Sequence, residues 1–148
     1  MAGKSDYLEN KLQDFTLRGQ SFTPAATLYV ALFTSAPTDA GGGTEVSGGG
    51  YARVAVAGNM TNWSGTQGAG STAPSSGTGG TISNNVNIIF GLPSGSWGTI
   101  TYFALIDSAT SGGSNNYYYW GTVTPNITIG SGNGTPTFAP GTLTITED

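Results

Sequence analysis

Thr27-Leu-Tyr-Val-Ala-Leu-Phe-Thr34 is apolar at nearly every position, on both of the alternating faces that an extended chain presents. A half-exposed strand would alternate apolar with polar, and this stretch does not. A buried helix could carry the same composition. The short length, the β-branched and aromatic content, and the flanking Pro24 and Pro37 instead predict a strand covered on both sides.

Downstream, Asp39 to Gly50 is a Gly-rich loop, and Tyr51 to Val56 reads as the next strand. Arg53 is the only cation after residue 18, so its expected partner is an acid such as Glu45 or Asp107; a solvated charge at a strand edge is equally compatible. Gly65 to Gly80 is almost entirely Gly, Ser, Thr, Ala and Pro. It has too little apolar surface to build a core and reads as a long exposed loop. Val86 to Phe90, Trp97 to Asp107, Tyr117 to Val123, Ile127 to Ile129, Thr137 to Phe138 and Thr142 to Thr146 follow as strands, with a turn cluster at Ser111 to Asn116. In the last strand Leu143 and Ile145 face inward while the threonines face out. About eight strands between turn signals predict an all-β fold, a β-sandwich or jelly roll.

Upstream the composition changes. Half of all charged residues lie in the first 18 positions: Lys4, Asp6, Glu9, Lys11, Asp14 and Arg18. Asp6 with Glu9 reads as a capping box, Leu8, Leu12 and Phe15 form one apolar stripe, and Gly19 suits a C-terminal cap. The expected organisation is a short amphipathic helix or arm at 1–19. A single β-sandwich domain at 20–148 follows, with a Gly/Ser-rich loop near 58–80. So short a helix must dock to be stable, on its own sheet or on a neighbouring subunit.

The chemistry is bounded by absences. The 148 residues include no His and no Cys, which removes Ser-His-Asp and Cys-His arrangements, disulfides and thiolate metal sites. Asp39 and Glu45 sit in the flexible loop, a poor platform for paired-carboxylate hydrolysis, and Asp107 is distant in sequence. No enzyme activity, cofactor or metal is expected. With four cations against eight acids, net charge −4, the chain cannot neutralise a run of phosphates, so nucleic acid is not an expected partner. Nor is a membrane: no stretch nears the ~18 apolar residues of a spanning helix. Charged residues are only 8% of the chain and aromatics 11%, the balance of a surface made for contact with other subunits. Tyr118 and Trp120 are expected on one strand face, Tyr117 and Tyr119 on the other.

Tyr7-Leu-Glu-Asn-Lys-Leu12, Ala26-Thr-Leu-Tyr-Val-Ala-Leu-Phe-Thr34 and Gly43-Thr-Glu-Val-Ser-Gly-Gly-Gly-Tyr-Ala-Arg53 follow in that order. Trp97-Gly-Thr-Ile-Thr-Tyr-Phe103, Tyr119-Trp-Gly121 and Phe138-Ala-Pro-Gly-Thr-Leu-Thr-Ile145 complete the series. Together they resemble a family of small tailed-phage structural proteins often labelled phage tail fibre protein. They are also similar to the β-sandwich cement proteins of icosahedral phage heads, which are typically trimers. The resemblance covers most of the chain, with Gly58 to Gly80 richer in Gly and Ser than the family pattern.

It implies a virion structural protein. The first implied role is a capsid decoration (cement) protein on the outer surface of the head, binding the major capsid protein and copies of itself as a homotrimer. The alternative is a tail fibre or tail-tip protein that meets host-surface glycans through loops and aromatics such as Trp63 and Trp97. Tyr7, Leu8, Leu12 and Phe15 are the assembly-contact candidates.

Overall fold

A computed structural model describes residues 3–112 and 114–147. The first two residues of the expected arm, Gly113 of the turn cluster, and Asp148 lie outside the described residues. The elements in order are β1 (Gly3–Lys4), α1 (Asp6–Leu17), β2 (Thr27–Ser35), β3 (Thr44–Glu45), β4 (Val54–Ala57) and β5 (Thr81–Ser83). Then come β6 (Ile88–Ile89), β7 (Gly98–Ile106), β8 (Tyr117–Ile129), β9 (Thr137–Phe138) and β10 (Thr144–Thr146). Among the described residues the fold is all-β with one short helix, as the sequence predicts. The pairing is one large antiparallel sheet, ordered β1-β8-β7-β2-β3 with β4 also on β2, and two separate ribbons, β5 with β10 and β6 with β9.

β2 is the covered strand its composition requires: Val30, Ala31, Leu32 and Phe33 are all buried. Val30 and Leu32 face the main core with their cross-strand partners Leu105 and Phe103 of β7. Ile88, Phe90, Leu143 and Ile145 from the ribbon side close that core, so the ribbons form a second layer over the large sheet. Each such fully buried aliphatic or Phe side chain contributes roughly 1.5–3 kcal/mol. Ala31 and Phe33 face the other way, into a smaller cluster with Ala104 and Ile106. The loop after β2 folds over that cluster: Pro37 is fully buried, and a Cβ on Gly41 would lie 3.1 Å from the Tyr117 ring.

Several expectations need correction. Tyr117 to Val123 and Ile127 to Ile129 are one strand, β8, which stays paired with β7 past an irregularity between the Tyr102–Thr122 and Ile100–Ile127 pairs. A second irregularity leaves Tyr118 as an extra residue, because Leu105 opposes Tyr119 while Ile106 opposes Tyr117. This bulge breaks the alternation. Tyr118 and Tyr119 both pack on the main core, whereas Tyr117 and Trp120 pack on the smaller cluster. The expected pairing of Tyr118 with Trp120 on one face is therefore overturned. The helix cap is Ser5, not Asp6: its hydroxyl accepts the Leu8 N–H at 3.3 Å, and Asp6 is already the first helical residue. Gly19 does follow the helix, at φ +66°, as a C-terminal capping residue. β1, β3 and β5, two or three residues each, are too short to leave a sequence pattern. Tyr51 to Arg53 precedes β4 instead of forming part of it.

Candidate functional site

The acids come first, since any chemistry would begin with them. Arg53 clasps Glu45 with two parallel hydrogen bonds, Nε to Oε1 and Nη2 to Oε2, each 2.7 Å. Its remaining Nη1 donates to the Ser108 carbonyl at 2.7 Å. The two side chains are only 2% and 11% exposed, so of the partners foreseen for Arg53 the structure selects Glu45. Burial works against the Arg53 charge, but the hydrogen bonds and charge of Glu45 more than offset it, and its pKa is raised. The Tyr51 hydroxyl donates to Glu45 Oε1 at 3.1 Å and accepts the Leu32 N–H at 2.9 Å. Burial, followed by the Glu45 charge, pushes the Tyr51 pKa up.

Asp107 is occupied in turn by the Asn116 backbone N–H and side-chain amide, at 2.9 and 2.7 Å. Asp39 accepts the Trp120 indole N–H at 3.1 Å. Among the described residues, no three His, Cys, Asp or Glu side chains come together as a metal site would require. These acids hold loops to strands.

The N-terminal element is more open. Ser5 is fully buried, its hydroxyl donating to the Tyr117 carbonyl and its N–H to the Tyr118 carbonyl at 3.1 Å. Those bonds and the β1–β8 pairing fix the start of α1 against β8. Lys4 pairs with Glu147, tying the arm to the last described residue. The candidate contact residues then divide by position. Leu8 is 4% exposed and belongs to the core. Tyr7 is half-buried, its ring 5.4 Å from that of Tyr118. Leu12 is half-buried, and Phe15 is 56% exposed. The one apolar stripe thus runs from the core into solvent.

Beside it lies a cleft of about 530 Å³ walled by Leu12, Phe22, Ala26, Trp63, Ile82 and Tyr119, among others. Phe22 and Ala26 sit in a connecting segment between Gly19 and β2 that carries no periodic pattern, so sequence reasoning had no handle on them. A second cleft of about 490 Å³ lies between β8 and the ribbons, floored by Phe90, Ile100, Phe103 and Leu143.

The aromatic candidates for sugar stacking are placed unevenly. Trp97 is 3% exposed, its indole N–H donating to the Gly49 carbonyl at 2.8 Å, so it is a core residue and offers no platform. Trp63 is half-buried in the wall of the first cleft. Trp120 is half-buried on the opposite sheet face beside Tyr102, at 6.2 Å between ring centres. The 65–80 loop is held by its own polar groups and by Asn85 beyond it. Thr66 donates to the Ser76 carbonyl at 2.7 Å, Gln67 to the Pro74 carbonyl at 2.7 Å, and the Gly70 N–H to Asn85 at 2.8 Å.

The site is thus a small all-β scaffold in which Asp39, Glu45 and Asp107 hold loops to strands, with apolar side chains lining two clefts and one helical stripe. The family described as Podophage GP4 fiber I protein gp80 matches residues 3–146, and the chain belongs to it. It is a phage fibre-type structural protein and a virion component. Comparison with curated proteins returns no match.

Proposed function

We propose that this chain is a subunit of the tail-fibre apparatus of a short-tailed phage, acting by being held among neighbouring chains and not by turning over a substrate. The observation that carries this reading is the match to a fibre protein family along nearly the whole chain. The charge-poor, aromatic-rich composition supports it, because interface cores are depleted in charge and enriched in Tyr and Trp. Copies of the chain itself and other virion proteins are its partners. A role in glycan attachment would fall to Trp120 and Tyr102 before Trp97, since Trp97 is closed off in the core.

Cryo-electron microscopy of the intact virion with this chain epitope-tagged tests the assignment. Density and label on the fibres are expected. Label confined to the outer face of the head would overturn it in favour of the cement role, with the major capsid protein as partner.

A further inference from the structure

Asn133 is the one asparagine of the chain that is followed by glycine. That order carries a specific chemistry. The backbone nitrogen of the next residue can close a five-membered ring onto the asparagine side-chain carbon, and glycine has no Cβ to obstruct the approach. The local structure leaves both reacting groups open. Asn133 and Gly134 are exposed, in the connection from β8 to β9. The Asn133 N–H donates to the Gly130 carbonyl at 3.2 Å, closing a turn with Gly132 at φ +81°, the left-handed position that a type II turn reserves for glycine. The Gly130 N–H donates in return to Asn133 Oδ1. The Gly134 N–H, by contrast, has no hydrogen-bond acceptor among the described residues.

We infer that Asn133 is a self-modification site, converting to aspartate and isoaspartate by attack of the Gly134 backbone nitrogen. Hydroxide takes the Gly134 N–H proton, and the nitrogen forms a bond to Asn133 Cγ. The negative charge moves to Oδ1, where the Gly130 N–H already donates. That donor stabilises the tetrahedral intermediate as one member of an oxyanion hole does. Collapse breaks the Cγ–Nδ2 bond, and the nitrogen leaves as ammonia with a proton from water, restoring hydroxide. Water then opens the cyclic imide at either carbonyl. Opening at Cγ gives aspartate; opening at the main-chain carbonyl gives isoaspartate, in which the backbone runs through Cγ. Either product adds a negative charge to a chain of net charge −4. Isoaspartate also lengthens the backbone between Ile129 and Pro136, both wall residues of the cleft between β8 and the ribbons. The inference holds whether the chain sits on the tail or the head.

Peptide mapping by mass spectrometry tests this on the folded full chain kept for days in mildly alkaline buffer. Conversion is expected at Asn133 ahead of every other asparagine, at a rate that rises with pH. Gly134→Ala should slow it about tenfold, because a Cβ restricts the rotation that brings nitrogen onto carbon. That position has room for the methyl group, with nothing within 4 Å and no left-handed φ, so the variant should fold. Asn133→Gln would have to close a six-membered ring and should show no conversion over the same period. Repeating the measurement in urea separates the folded turn from the bare sequence. Reaction at Asn133 only in the unfolded chain would overturn the proposal, as would earlier conversion at another asparagine or an unchanged rate in Gly134→Ala.

Discussion

Asn84 is fully buried directly after β5, and its side chain does the joining of three segments. Its amide donates to the Val86 and Ala139 carbonyls at 2.9 Å each, and its oxygen accepts the Leu143 N–H at 2.9 Å. Asn84→Ala leaves those backbone groups without partners in a closed space. The expected loss is about 3 kcal/mol, as unsatisfied buried polar groups cost roughly 1–3 kcal/mol apiece. Urea denaturation reads it, and a change under 1 kcal/mol would contradict the bonding described. Asn84-Asn85 in sequence suggests only a turn, because nothing local marks which Asn will be enclosed. Glu45 is the companion case. Glu45→Ala strands a guanidinium that is 2% exposed, and breaking such a pair costs about 3–5 kcal/mol. Here the sequence comes close: Arg53 is the lone cation after residue 18, and loop geometry decides between Glu45 and Asp107.

At the scale of elements, α1 and β8 carry the lessons. Ser5→Ala removes the acceptor for the Leu8 N–H, and capping losses of this kind cost about 1 kcal/mol. Helical ellipticity and the denaturation midpoint should both fall. The same changes are not expected for Asp6→Ala, which lies one residue inside the helix, and equal losses from both would return the cap to Asp6. The helix, its stripe and its terminal Gly19 were legible because they obey a 3.6-residue period with a left-handed glycine at the end. β8 was not. Its bulge at Tyr118 shifts side chains by one face, and period-two reasoning has no means of seeing an extra residue that only the partner strand defines. A close approach also fixes the C-terminal edge: Gly80 has φ +61°, and a Cβ there would sit 2.4 Å from the carbonyl oxygen of Glu147, the residue just past β10 and distant in sequence.

For the whole molecule, the pH dependence of stability lies on the alkaline side. Tyr7 is pushed up to about 12 by burial and then by its hydrogen bond to Tyr118. Burial also raises Tyr51, Tyr117 and Tyr119, with Glu45 or Glu147 adding to it. Groups whose folded pKa is raised keep their protons after the unfolded chain has lost its own. Stability is then fully present below the ordinary tyrosine value of about 10 and falls as pH rises beyond it. Melting temperature followed from pH 8 to about 12 with tyrosinate absorbance should show that fall. A flat profile would mean that these hydroxyls are freely solvated. The sequence alone determined that the chain is all-β, poor in charge and without His or Cys, because those are properties of residue type and short-range period. Folding in three dimensions decided how much of each apolar line is used up inside the chain. Leu8, Leu12 and Phe15 are equivalent on a helical wheel. They end up buried, half-buried and exposed because exposure depends on how far the opposing β8 surface extends, a quantity set by contacts more than a hundred residues apart in sequence.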